Sequence, residues 1–426
     1  MASGRVSTGR LAVSSAVGTT LEWYDFTVYN TLAALVFNRL FFPSFDPMAG
    51  TILAFSTYAV GYVSRPIGGI VFGHLGDKLG RRFVLVMTLV LMGLATASMG
   101  ALPTYAAIGV LSPVLVVTLR LVQGVALGGE WAGAVLIAVE HGDQDKRGRN
   151  ASWTQVGPAV GTLLATACIA LVTSLLSADA FVAWGWRIPF LTSVFVVGFG
   201  WWIRRGVDET PMFEALAKSG AKARLPVSEV VRLCWRRLLI AGGVRVGSDV
   251  LYAVVFVFAL TYLTTVLNVS RTLALSAIMI GTPFNAVMIP WFASLSDRVG
   301  RRVVYASGAG LGMVFVFAFF SLIDTARPWL IVTAVILGAV IHAAMYGPQA
   351  AFIVEQFPTR LRYAGSSLAY TFAGIVGGGF APLIMASLFR ANRTSTAISL
   401  YVVATLCVTS LALFASRETA NVPLEE

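Results

Sequence analysis

Seven charged side chains interrupt stretches of sequence that are otherwise apolar: Glu22, Asp25, Arg65, Arg120, Glu130, Arg245 and Asp249. Helical spacing gathers them onto shared faces. At about 100° per residue, Glu22 and Asp25 fall about 60° apart, with Gly18 and Tyr29 on the same stripe. Tyr58, Tyr62 and Arg65 share a second face. Arg120, Gln123, Glu130 and Trp131 lie within about 100° of arc, and Arg245, Asp249 and Tyr252 follow one another at successive turns of a further segment. Two chemistries fit these residue types. The first is proton exchange. Four acids face three guanidiniums that stay protonated, so one carboxylate is left over, and a desolvated carboxylate without a partner takes up a proton. Asp25, Glu22 and Asp249 are the candidates. Asp25 ranks ahead of Glu22, because Tyr29 is placed to hydrogen-bond Glu22, although two acids one turn apart titrate as a pair. The second chemistry is anion binding. Arg65 and Arg120 can each offer a fork of donors to a carboxylate. Tyr62, Trp131, Tyr29 and Tyr252 would add flat walls, and Gln123 an amide. A purely structural role stays open for Arg245 with Asp249, which can neutralise each other across one turn. It stays open also for Glu130, whose GGEWAG surroundings suit close helix packing.

The elements that carry these residues are apolar runs. Hydrophobic residues make up 57% of the 426 and charged residues 12%, about half the charged fraction of an ordinary soluble domain. Twelve runs of spanning length occur, at roughly 11–37, 48–73, 83–103, 106–138, 150–176, 183–203, 237–267, 272–294, 303–324, 328–352, 364–389 and 396–415. They do not alternate as barrel strands would, so they are read as helices that cross a lipid bilayer. The net charge of +11 does not call for nucleic acid. With both termini in the cytoplasm, 22 Lys and Arg fall on the inside, six on the outside and three within spans, as the positive-inside rule requires. The first run holds Glu22 and Asp25, unlike a cleavable signal peptide, and is expected to be retained. Three cysteines and three histidines are scattered without disulfide or metal-ligand spacing. There is no nucleophile–base set, metal cluster or phosphate loop to suggest an enzyme.

The chain also repeats itself. GHLGDKLGRR at 73–82 is echoed by ASLSDRVGRR at 293–302, and Val139-Glu140 ahead of Arg147 and Arg149 is echoed by Val354-Glu355 ahead of Arg360 and Arg362. Both halves start on the same side, so the repeat is parallel, with its axis along the membrane normal. The expected architecture is all-α: twelve transmembrane helices in two six-helix bundles, with residues 1–203 and 237–426 as the bundles and 204–236 as a basic cytoplasmic loop. ETPMFEALAKSG in that loop reads as a short surface helix. Gly80 and Gly300 allow tight turns. Asp77 and Asp297 run against the local basic bias and can meet a helix N-terminus or an arginine. Glu140 and Glu355 can pair with Arg149 and Arg362, or with the loop arginines Arg81, Arg82, Arg301 and Arg302. Such contacts would form when the cytoplasmic side closes and break when it opens; the plainer reading is that they are topology and turn signals.

The G-x-L-x-D-x-x-G-R-R loop resembles the signature loop of the major facilitator superfamily. LEWYDFTVY at 21–29, YxxRPIGGIVFGHLGD at 62–77, LRLVQGVALGGEWAGA at 119–134 and VEHG at 139–142 resemble the metabolite:proton symporter family within it. That resemblance covers all twelve runs. It implies two bundles that rock about a central site, driven by a proton gradient and without a cofactor, in members that carry 2-oxoglutarate, citrate, shikimate, proline or betaine. Ala293 stands where the first loop has Gly73. Trp153 stands where a glycine motif of drug antiporters would have glycine, which weakens an antiporter reading. The chain ends soon after its last run, without the coiled-coil tail of some osmolyte-sensing relatives. The expectation is therefore a symporter in a bacterial cytoplasmic membrane, functional as a monomer, importing a small organic acid with protons. A zwitterionic osmolyte carrier, a drug:proton antiporter and a non-transporting receptor remain alternatives.

Overall fold

The computed structural model describes residues 8–32, 36–43, 47–204, 226–420 and 422–424. Among the described residues all regular structure is helical, as it must be where the solvent is hydrocarbon and each backbone polar group has to be satisfied within its own segment. Twelve long helices follow one another. In the first half they are α1 (Thr8–Leu32), α2 (Pro47–Leu79), α3 (Arg81–Ala101), α4 (Leu111–His141), α5 (Arg147–Leu175) and α6 (Ile188–Arg204). In the second half they are α7 (Trp235–Tyr252), α8 (Arg271–Val299), α9 (Arg301–Ile323), α10 (Pro328–Glu355), α11 (Arg362–Gly374) and α12 (Ser395–Ala415). Nine of the twelve, among the described residues, are long and apolar enough to cross a membrane by length and composition alone; α1, α2 and α6 complete the set.

The packing shows the repeat directly. α1 packs on α5, α2 on α4, and α3 on α4 and α6; in the second half α7 packs on α11, α8 on α10, and α9 on α10 and α12. Each pair recurs six helices later. The halves meet where α2 lies against α11 and α5 against α8, two contacts exchanged by the same two-fold. The outer surface is apolar, with Phe195 79% and Phe414 82% exposed, whereas Glu22, Asp25, Arg65, Arg120, Arg245 and Asp249 are all buried. That inversion of a soluble protein places the charges in the interior of the bundle.

Local chemistry accounts for the turns and bends. Gly80 (φ 113°) and Gly300 (φ 104°) join α2 to α3 and α8 to α9 in a backbone region that only glycine enters without strain. α7 continues through π-helical turns at Ala253–Phe258 and Tyr262–Val266, and α11 through one at Ile375–Gly379 before Ala381–Asn392. The apolar runs carry no sign of these wider turns. α4 and α10 extend past their apolar runs to His141 and Glu355, so Glu140 and Glu355 are helical residues, not loop residues. The surface helix expected for ETPMFEALAKSG lies outside the described residues. A short helix at Pro226–Leu233 follows, with Val230 buried and Glu229 3.7 Å from Arg360.

Candidate functional site

α1, α2, α3 and α4 bring the charges of the first half together. Arg65 Nη2 lies 3.4 Å from Glu22 Oε1. The Arg65 guanidinium stands 4.0 Å from the centroid of the Tyr62 ring and 4.7 Å from that of Phe26, so aromatic faces support the cation where water is excluded. Close packing of α4 on α2 makes this possible: a Cβ added at Gly128 would sit 2.0 Å from the Arg65 carbonyl oxygen. The packing role expected of the GGEWAG segment is thus borne out, and Glu130 is fully buried within it. Asp25 is held differently. Its Oδ2 accepts a hydrogen bond from the Thr96 hydroxyl, and its Oδ1 is buried with no hydrogen-bond partner among the described residues. Gln123 Nε2 donates to Thr96 Oγ1 (2.6 Å), and Arg120 Nη1 donates to Gln123 Oε1 (3.1 Å). A relay therefore runs Arg120, Gln123, Thr96, Asp25. Tyr29, expected beside Glu22, lies with its ring centroid 3.4 Å from the Arg120 guanidinium.

The second half supplies a self-neutralised pair. Arg245 Nε donates to Asp249 Oδ2 at 2.7 Å, one turn on, as the spacing allowed. Arg245 also donates to the Tyr370 carbonyl (2.5 Å) and lies over the Tyr370 ring at 3.2 Å. Tyr370 stacks on Trp131 of the first half, with centroids 3.8 Å apart and planes at 11°. Trp131 Nε1 donates to Gln155 Oε1 (2.8 Å), and Gln155 Nε2 donates to the Tyr346 carbonyl (3.3 Å). Tyr252 meets Trp23 edge to face at 5.5 Å. Trp131 and Tyr252, singled out in the sequence, therefore stand at the seam between the halves. Thr96, Gln155, Tyr346 and Tyr370 carry no charge and gave no signal in an apolar run.

At the end of the bundle that carries the basic loops, two matching interlocks join the halves. Asp77 Oδ2 accepts from the Ala364 N–H (3.0 Å) at the N-terminus of α11. Asp297 accepts from the N–H groups of Gly148 (2.8 Å) and Arg149 (2.9 Å) at the N-terminus of α5. Each acid thus caps a helix of the opposite half, where unpaired N–H groups and the helix dipole favour a carboxylate. Beside each cap an acid bridges two arginines. Glu140 pairs with Arg81 (3.4 Å) and Arg362 (3.3 Å); Glu355 pairs with Arg301 (3.2 Å) and Arg147 (3.4 Å). The structure corrects the expected partners: Arg362 pairs with Glu140 of the opposite half and not with Glu355. Arg147 takes the place beside Glu355, while Arg149 is exposed and contributes its backbone N–H. Two residues on a helix differ by about 200°, so only one of the two can face Glu355. Arg82 is exposed and borders an apolar groove with Leu79, Phe83 and Trp201. Arg302 reaches the Phe414 carbonyl (3.3 Å).

Known proteins share this fold and much of this sequence. The Major Facilitator Superfamily sequence profile matches residues 16–382. The chain is 40% identical over 397 residues to the shikimate transporter of Escherichia coli (strain K12), covering 92% of this chain and 91% of that one. It is 32% identical over 429 residues to the proline/betaine transporter of the same organism, covering 98% and 85%. Among solved structures, the proton:xylose symporter XylE bound to 6-bromo-6-deoxy-D-glucose superposes with a TM-score of 0.78 at 17% identity, covering 98% of each chain. These proteins are transporters, not enzymes. A profile match over most of the length, relatives of that identity and a shared twelve-helix fold lead to one conclusion: the chain belongs to the major facilitator superfamily and is a multi-pass membrane transporter.

Proposed function

We propose that this transporter is a proton-coupled symporter that imports a small organic acid by alternating access across the cytoplasmic membrane of a bacterium, with both termini inside, working as a single copy. The observation that carries the proton coupling is the bonding of Thr96. Its hydroxyl has one hydrogen and two acceptor sites. Gln123 occupies one acceptor site. When Asp25 is ionised, the Thr96 hydrogen goes to Asp25. When Asp25 carries a proton, that proton turns to Thr96, and the Thr96 hydrogen swings to the Met92 carbonyl, 3.0 Å away. Asp25 Oδ2 keeps its hydrogen bond to Thr96 in both protonation states without moving a helix. Glu22 is different: its arginine partner suits the ionised form alone. Asp25 is therefore the proton carrier, and Glu22 holds Arg65 until substrate arrives.

The substrate's carboxylate then takes over Arg65, or shares it with Arg120, through the planar guanidinium fork. Gln123 and the rings of Tyr62, Trp131, Tyr29 and Tyr252 shape the space around it. The interlocks hold the cytoplasmic end shut in this state. When the halves rock, water satisfies the separated charges, and the acid and its proton leave inward. Each net positive charge moved inward gains about 2.3 kcal/mol per 100 mV, and the proton gradient is the energy source. The stacked rings of Trp131 and Tyr370 favour one second reading, a zwitterionic osmolyte whose ammonium rests on an aromatic face.

Purified protein in liposomes separates coupling from binding. Asp25→Asn should still exchange substrate across the membrane but fail to accumulate it under a pH gradient. Thr96→Val should weaken accumulation by roughly tenfold or more, the cost of a lost bond to a charged group, and Thr96→Ser should restore it. If Asp25→Asn and Glu22→Gln both still concentrate substrate, the proton travels elsewhere, with Asp249 next in line.

A further inference from the structure

His342 of α10 is 1% exposed and Asn285 of α8 is 5% exposed, and nothing in the coupling scheme uses them. Their geometry fixes a protonation state. Asn285 Nδ2 lies 2.7 Å from the Ala339 carbonyl and 3.0 Å from His342 Nδ1. A carbonyl oxygen only accepts, so the amide atom facing it is the NH2 group. The second hydrogen of that NH2 points at His342 Nδ1, which must accept it. The imidazole is therefore neutral and carries its proton on Nε2, which leaves an N–H donor on a ring held in place from behind.

Aromatic rings pack against the imidazole that carries that donor. His342 stacks on Tyr346 at 4.9 Å with planes at 28°, and meets Tyr252 at 5.4 Å and Phe256 at 6.4 Å. Tyr252 touches Trp23 of the first half, and the Tyr346 backbone takes the bond from Gln155, so the cluster borders the seam between the halves. Arg245, the one cation of the second half's apolar runs, is already committed to Asp249 at 2.7 Å. Around His342 the described residues thus offer a neutral donor and aromatic walls, and Arg245 is not open to a second carboxylate. An ammonium would gain from the rings but would meet an N–H where it needs an acceptor.

We propose that Asn285 and His342 form the subsite that recognises a hydroxyl group on the body of the substrate, and that the substrate class is a hydroxylated ring monocarboxylate. The inference rests on the organic-acid reading above: the first half holds the carboxylate, the second reads the ring. Asn285 positions the imidazole, His342 donates to the hydroxyl oxygen, and Tyr252 and Tyr346 flank the ring.

The test is equilibrium binding to the purified full-length protein of four probes: cyclohexene-1-carboxylate, its trihydroxy derivative, a straight-chain dicarboxylate and trimethylglycine. The wild type should bind the trihydroxy acid roughly tenfold or more tighter than the bare ring acid. His342→Phe keeps an aromatic ring without the N–H and should bring that ratio close to one by weakening the trihydroxy acid. His342→Gln, which restores an N–H donor, should recover part of the ratio. A ratio that survives both His342→Phe and Asn285→Leu overturns the subsite. So does a wild-type preference for trimethylglycine or the dicarboxylate. If no carboxylate binds, both readings fail together. If the acids bind and Arg65→Gln releases them all, while the ratio ignores His342, the subsite alone fails.

Discussion

The two interlocks are built from the same parts and finished differently. Each sets two acids against two arginines, so each is neutral as a unit. Each places an aspartate on the N-terminus of a helix in the other half. The first, formed by Asp77, Arg81, Glu140 and Arg362, is the more deeply enclosed: Arg81 and Arg362 are 0% exposed, and Arg81 also reaches the Thr359 carbonyl at 3.4 Å. The second, formed by Asp297, Arg301, Glu355 and Arg147, is covered by the chain's own C-terminal segment. Glu418 accepts from the N–H groups of Arg301 and Arg302, each at 3.0 Å, at the start of α9. The Thr419 hydroxyl donates to Glu355 at 2.6 Å, and Arg147 Nη2 donates to the carbonyls of Thr419, Ala420 and Val422 at 3.1, 2.8 and 2.9 Å. The difference teaches that the two-fold repeat fixes the interlock charges, while their redundancy is local. In the second interlock an arginine that loses its glutamate still has short bonds to fall back on.

Removing the bridging acids should expose that difference most strongly. Glu140→Gln takes the shared carboxylate from two buried guanidiniums, leaving Arg81 the Thr359 carbonyl at 3.4 Å and Arg362 the Phe357 carbonyl at 3.1 Å, and taking one partner out of a buried ion network costs about 3–5 kcal/mol. Glu355→Gln should cost less, by at least about 1 kcal/mol. Arg301 keeps Asp297 at 2.7 Å and Ser296 Oγ at 2.8 Å, and Arg147 keeps the tail carbonyls. Thermal unfolding, together with thiol labelling of a cysteine placed between α2 and α11, reads both effects. Equal losses in the two variants would remove the claim that the tail supplies redundancy.

The capping acids should rank the other way. Asparagine is itself a good cap, so Asp77→Asn loses the charge at the α11 terminus, worth about 0.5–2 kcal/mol, together with its attraction to Arg81. Asp297→Asn loses that and the 2.7 Å pair with Arg301, so its effect should be the larger. Both variants should fold and insert, and both should slow uptake. The comparison fails if Asp77→Asn proves the slower transporter.

Much of this was legible in the sequence because a charge in an apolar run contradicts its surroundings. Glu22, Asp25, Arg65 and the Arg245–Asp249 pair declared themselves in that way, and the duplicated loops located both interlocks. Partnership was harder to read. Arg147 and Arg149 look equivalent as letters and differ only in which side of α5 they face. Neutral residues were silent. Thr88 bonds the Leu85 carbonyl of its own helix at 3.3 Å, while Thr96, two turns on, serves a carboxylate of α1, and composition cannot separate them. His342 was one of three scattered histidines until α8 brought Asn285 against it. The segment at 416–424 is short and has no periodicity, so its docking could not be foreseen.

That segment gives the smallest expected effect and a pH dependence. Partial burial pushes the Glu418 carboxyl up, but the N–H groups of Arg302, Ala420, Arg301 and Thr419 outweigh it and hold the group below the ordinary glutamate value of 4.5. A carboxyl depressed in the folded state adds stability that is complete above its unfolded value and is lost as pH falls through the lower folded one. The strap should therefore hold without change at neutral pH and loosen only in acid. Glu418→Gln should reproduce the loosened state at neutral pH, because an amide oxygen is a weaker acceptor for those four donors. Hydrogen exchange at the amides of Arg301, Arg302 and Ala420, corrected for intrinsic rates, is the measurement. The Ala364 amide, held by Asp77 in the interlock without a tail, should stay protected in the same samples. Loss of protection there as well would mean that the two interlocks open together and that the tail holds both; unchanged exchange at Arg301 and Arg302 would mean that Glu418 holds neither.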